Sequence, residues 1–248
     1  MSPSFPPEIF DLIIDHLHDD TTALKASCLV SKSWVPRAQR CLFAHVMFLC
    51  TGSSTFRSWM MAFPDPSKSP AHHTRSLFVN RLWEYHPQTN ADARGWIHSF
   101  RQVVNLRVNT LLSSHTGSIL VSLHGFSPAL KSLSLSFFTF PLSEVFHFIC
   151  SFPLLEDLTL YLRRIDEGSN EPLDTPSSSP KFTGSLSLIG RISPLVRRLL
   201  DLPGGLHFNK ILMESLSNQA ESASLLVSSC SNTLESLWIK HPFLCAFP

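Results

Sequence analysis

The chain has 248 residues, 44% hydrophobic and 16% charged, with 20 basic and 19 acidic side chains and a formal net charge of +1. The length suits one sizeable domain or two small ones, and the apolar share supplies a buried core and excludes global disorder. The balanced charge carries no basic stripe, which speaks against nucleic acid as the main partner while leaving room for one local phosphate group.

Residues Phe5 to Val46 read as three short helices. In the first, Pro6 and Pro7 suit an opening turn, where a missing N–H costs nothing. Ile9, Phe10, Ile13, Ile14 and Leu17 then recur at a spacing that makes one apolar face. Asp19-Asp20-Thr21-Thr22 breaks the pattern and can cap a second helix that carries Ala23, Leu24, Ala26, Cys28 and Leu29. Ser31 can cap a third, Ser33 to Phe43, with Trp34, Val35, Ala38, Cys41 and Leu42 inward.

Phe5-Pro6-Pro7-Glu8-Ile9, then Leu17, Leu24 and Cys28-Leu29-Val30-Ser31-Lys32-Ser33-Trp34, resemble an F-box. That motif usually opens Leu-Pro-x-Glu-Ile, and Phe5 stands here where leucine is usual. The resemblance implies docking to the Skp-type adaptor of an SCF-type cullin–RING ubiquitin ligase, through Phe5, Pro6, Ile9, Ile13, Leu17, Leu24, Val30 and Trp34. A unit of about forty residues buries too little apolar surface to stand without a staple or a partner.

Thr51 to His73 is rich in proline and serine and reads as a link, with Phe56, Trp59 and Met60 packing as a short helix. From about Arg75 a short apolar-x-apolar pattern recurs. Its first positions are Leu77, Leu106, Leu133, Leu158, Leu186, Ile211 and Leu237, at intervals of 29, 27, 25, 28, 25 and 26 residues. The best copies share a longer frame, as in Pro128-Ala129-Leu130-Lys131-Ser132-Leu133-Ser134-Leu135 and Pro153-Leu154-Leu155-Glu156-Asp157-Leu158-Thr159-Leu160. Period and frame resemble leucine-rich repeats, without the consensus asparagine or cysteine after the strand. The expected fold is therefore α/β. A three-helix motif over 4–48 and a link over 49–73 precede an irregular solenoid over 74–248, a parallel sheet with helices or loops on its outer side. Helical connectors are expected at Leu142 to Cys150 and Met213 to Cys230, and an exposed loop at Asp166 to Pro180, with Ser177-Ser178-Ser179-Pro180 a candidate phosphorylation target.

In such an array the alternate residues of each strand are core. The residues between them, Phe78, Arg107, Ser134, Thr159, Ser187, Leu212 and Trp238, form a row on the concave face, and Asn80, Asn109, Ser136, Tyr161 and Lys240 form a second. Arg107 and Lys240 are the charges expected there. Phe78, Arg107, Ser134, Thr159, Tyr161 and Trp238 are the candidate target-binding residues, with Trp238 and Tyr161 of the types that anchor interfaces. Trp238 is equally open to cover by the tail His241 to Pro248, which either folds over the last repeat or leaves the final strand of a shortened array exposed.

Chemistry-bearing motifs are absent from the sequence. The six cysteines are scattered without CxxC spacing and read as reduced core thiols of a cytosolic or nuclear protein. The twelve histidines form no HExxH and no zinc-like cluster, and there is no GxxxxGK[ST], GxGxxG or GxSxG. No enzyme activity, cofactor, metal or membrane span is expected. No signal peptide opens the chain, and Ser132 to Leu155 is broken by Pro141, Glu144 and Pro153. As an F-box family member the chain would be a substrate-recognition adaptor holding an unknown protein target. The competing expectations are a non-ligase interaction scaffold whose helices merely cap the solenoid, and a degenerate copy without function.

Overall fold

The computed structural model describes residues 6–49, 55–80, 96–110, 123, 124, 126–166, 180, 182–190, 193–202, 204–215 and 219–240. Three helices come first: α1 (Pro7–His16), α2 (Thr21–Val30) and α3 (Val35–Leu42). Strand β1 (His45–Phe48), helix α4 (Phe56–Ala62) and two short 3₁₀ turns (Pro66–Lys68, Pro70–His73) follow. Then come β2 (Ser76–Asn80), β3 (Asn105–Thr110), β4 (Ser132–Pro141), α5 (Leu142–Cys150), β5 (Asp157–Asp166), β6 (Ser185–Gly190), α6 (Ser193–Leu200), β7 (Lys210–Ser215), α7 (Ala220–Ser229) and β8 (Ser236–Lys240).

The eight strands form one open sheet in the order β1 to β8, every neighbouring pair parallel. Parallel neighbours that are also consecutive in sequence require each connection to return across the sheet. Here the returning segments carry α4 to α7 on one face, with Phe56, Val145, Phe146, Phe148, Ile149, Leu195, Val196, Leu199 and Leu226 packed into the same core as the inward strand residues. From β2 to β7 those inward pairs, from Leu77 and Val79 to Ile211 and Met213, are at most 3% exposed. Phenylalanines fill the layer beneath them. Phe126 meets Phe152 edge-on with centroids 6.2 Å apart, and Phe182 stacks on Phe208 at 5.0 Å.

A second repeating device fixes the strand starts. The carbonyl just before one strand accepts two N–H groups from the entry to the next. Ala44 O takes Arg75 N and Ser76 N, Arg75 O takes Val104 N and Asn105 N, Val104 O takes Lys131 N and Ser132 N, and Lys131 O takes Glu156 N and Asp157 N. Gly184 O and Asn209 O do the same for β7 and β8. Between β5 and β6 the pattern changes. Glu156 O takes only Gly184 N, and the Asp157 carboxylate takes Ser185 N and Ser185 Oγ, both at 2.7 Å.

Several expectations need correction. The stack begins one strand earlier than the Leu77 copy, at β1, whose Val46 and Phe48 are buried. The short helix expected in the link is present as α4, but the segment is part of the stack rather than a separate link: Phe56 meets Phe48 at 5.1 Å and Trp59 meets Phe100 at 5.6 Å. The Met213 to Cys230 connector divides into the end of β7 and α7, because Ile211 and Met213 alternate as a strand. Helix α6 lies outside the expected helical connectors, and Pro194 sits at its second position, where proline is tolerated. Strand β5 runs through Asp166, and most of the expected 166–180 loop, with Ser177-Ser178-Ser179, lies outside the described residues. Among the described residues no helix is long and apolar enough to cross a membrane.

Candidate interaction surfaces

The N-terminal helices have a small core of their own, made by Ile14, Leu24 and Ala38, with Leu17, Cys28, Trp34, Cys41 and Leu42 packed around it. Local signals set their ends. Pro7 opens α1, and Asp20 caps α2 by accepting from Thr22 N at 3.0 Å and Ala23 N at 2.9 Å. Ser31 does not cap α3. It accepts from Ser33 N in a tight turn, and α3 starts at Val35 behind Trp34. Across the bundle Arg37 grips Asp15 with two hydrogen bonds, Nε to Oδ1 at 2.6 Å and Nη2 to Oδ2. That guanidinium holds the Asp15 carboxyl below the usual carboxylate range, against a smaller opposing effect of burial. The Phe10 and Trp34 rings lie 5.2 Å apart, binding α1 to the start of α3.

With the core in place, the predicted docking residues separate. Pro6, Ile9, Ile13 and Val30 lie on the surface. Leu17 and Trp34 are half-buried against the small core, and Leu24 is fully buried. Leu24 is thus a packing residue rather than a contact, because it faces Ile14 and Ala38 instead of solvent. Phe5 lies outside the described residues. Two exposed leucines escaped the sequence reading: Leu12 on α1 at 60% and Leu29 on α2 at 89% exposure. Leu12 falls off the helical stripe of Ile9, Phe10, Ile13, Ile14 and Leu17, and Leu29 stands in the F-box-like Cys28 to Trp34 segment without being among the expected contacts. The helices therefore present two apolar strips, Ile9, Leu12 and Ile13 on α1 and Leu29 and Val30 at the end of α2.

The second surface is the sheet face away from α4 to α7. The predicted row holds together residue by residue: Phe78, Arg107, Ser134, Thr159, Ser187, Leu212 and Trp238 stand in direct register across seven strands, and β1 adds Met47. The next row runs Asn80, Asn109, Ser136, Tyr161, Ile189, Glu214 and Lys240. Arg107 is exposed, and its guanidinium carbon lies 5.4 Å from the Phe78 ring centroid. Ser134, Thr159 and Tyr161 are half-buried. Trp238 is exposed and donates from Nε1 to Ser236 Oγ at 2.9 Å. The face holds more charge than Arg107 and Lys240 alone: Glu214 pairs with Lys240 at 3.5 Å, and Lys210 and Asp157 occupy outward positions.

The face changes character along the stack. At β2 and β3 it is amide-rich around one cation, in the middle it is lined by small hydroxyls, and at β7 and β8 it sets Leu212 and Trp238 among Lys210, Glu214 and Lys240. Among the described residues no cluster of three metal-binding side chains occurs. The buried thiol of Cys150 is pushed up to about 11 by desolvation, which leaves it protonated and unreactive at neutral pH. Comparison with protein-family models, curated proteins and solved structures finds no match.

Proposed function

We propose that this chain is a substrate-recognition subunit of an SCF-type ubiquitin ligase, with α1 to α3 as an F-box that docks the Skp-type adaptor and the sheet as a leucine-rich-repeat solenoid that holds the target. The observation that carries the reading is the pair of exposed apolar strips on a three-helix unit whose fully buried apolar core, among the described residues, is Ile14, Leu24 and Ala38. Apolar side chains of that size on so small a unit are expected to be covered by another protein. The mechanism is proximity. The subunit raises the effective concentration of a target beside the ligase machinery, and the catalytic cysteines belong to other chains.

One observation favours the alternative, a scaffold outside any ligase. Phe43, at the end of α3, packs edge-on against Trp59 at 5.7 Å and Phe63 at 6.0 Å, so the helices also close the first end of the sheet.

Capture of purified full-length chain by an immobilised Skp-type adaptor separates the two. Because Leu17 and Trp34 support the small core, their substitution confounds folding with binding. Leu12→Glu with Val30→Glu is the cleaner change. The expected result is capture of the wild-type chain and loss of capture by the variant, with circular dichroism and melting temperature retained. A folded wild-type chain that the adaptor does not hold, or a variant held equally well, refutes the ligase reading.

A further inference from the structure

The β2–β3 end of the open face is built unlike the rest. Arg107 forms no ion pair among the described residues, and its one interaction is with the Phe78 ring. Its neighbours on that face are neutral and able to hydrogen-bond. Asn105 and Asn109 lie two positions before and after it on β3, Asn80 registers with Asn109 on β2, and Ser134 stands directly opposite on β4. No outward position of β2, β3 or β4 carries a carboxylate. The nearest acid on the face, Asp157 on β5, is committed to Ser185 through its Oδ1. Asn80 Oδ1 is buried and has no hydrogen-bond partner among the described residues.

We infer that Arg107 and the asparagines around it form a recognition station for one acidic residue of an extended peptide segment, a side-chain carboxylate or a phosphoryl group. A guanidinium already held over an aromatic ring loses less freedom on binding, and its fork suits a planar or tetrahedral oxyanion. The amides of Asn80, Asn105 and Asn109 supply neutral donors to the remaining oxygens. The open face of parallel strands around Arg107 suits an extended peptide segment better than a free ion. A polyanion such as nucleic acid is disfavoured, because one cation on a chain of net charge +1 offers no track for successive phosphates. The station names the chemistry of the target that the proposed adaptor selects, so it rests on that reading. Adaptor capture uses residues of α1 and α2 and not Arg107, so either test fails without deciding the other.

The test pans the full-length chain against three randomised peptide libraries, identical except for a fixed central glutamate, phosphoserine or glutamine. The expected result is retention of the glutamate or phosphoserine library about tenfold or more above the glutamine library. The stronger of the two acidic libraries identifies the source of the anion. Arg107→Gln should remove that preference, and Asn109→Asp should remove it too by supplying an internal carboxylate. Lys210→Gln, four strands away on β7, should retain it. Equal retention of the three libraries, no retention of any, or a preference that survives Arg107→Gln overturns the inference.

Discussion

Gly184 shows how tightly a single position is determined where the repeat pattern changes. A Cβ there would sit 2.4 Å from Asp157 Oδ1 and 3.0 Å from the Glu156 carbonyl oxygen. A carboxylate at the end of a side chain can often swing aside, but this one is held by two donations from Ser185. Relieving the clash therefore breaks the hydrogen bonds that replace the usual shared carbonyl between β5 and β6. Gly184→Ala is expected to cost about 1.5–3 kcal/mol, the range for losing a hydrogen bond to a charged group. For a chain of this size each kcal/mol lowers the melting temperature by roughly 2–4 °C. The double variant Gly184→Ala, Asp157→Ala should cost less than the sum of the two single changes, since the first loses its clash. A Gly184→Ala protein that melts with the wild type would show that the carboxylate moves freely.

The strands differ most in what covers them. The inward pair of β8, Leu237 and Ile239, is 41% and 62% exposed, whereas its register partners on β7, Ile211 and Met213, are buried. Strand β8 pairs with β7 alone among the described residues, so one edge offers backbone donors and acceptors beside exposed Leu237, Trp238 and Ile239. Such an edge is a template for another strand. Ile239→Lys is accordingly expected to reduce concentration-dependent association in sedimentation velocity while leaving the melting temperature near that of the wild type. A wild-type chain that stays monomeric at every concentration would show the edge to be protected. The sequence discloses this element as a repeat and leaves open whether it is covered, because Leu237-Trp238-Ile239 has the same alternation as Leu133-Ser134-Leu135. Alternation reports which residues share a face, not whether a neighbour lies over it. The same limit explains β1, where Val46 and Phe48 replace leucine ahead of a longer spacing. It explains Leu24 as well: a helical stripe marks apolar positions without telling core from contact. Row membership, which depends only on register and a period of two, was legible from Met47's neighbour Phe78 through to Trp238.

At the scale of the whole molecule two cores of unequal size share one chain. The sheet core runs from Val46 to Cys230 and is closed at its first end by aromatic contacts among Phe43, Phe48, Phe56, Trp59, Phe63 and Phe100. The helical core has three fully buried residues and the Asp15–Arg37 pair, which is more than a third exposed at Asp15 and so adds little in water. Local stability follows buried apolar contact, so the two parts should open at different free energies. Amide hydrogen exchange on the isolated chain is expected to show α1 and α2 exchanging well before β3 to β6, with α3 intermediate because Phe43 anchors its end to the sheet. A partner that binds only the folded helices stabilises them by mass action. Saturating Skp-type adaptor should therefore slow exchange in α1 and α2 selectively and leave β3 to β6 unchanged. Equal protection of α2 and β5 without adaptor would mean that the helical unit draws its stability from the sheet. The exposed strips would then be decoration on a cap rather than one half of an interface.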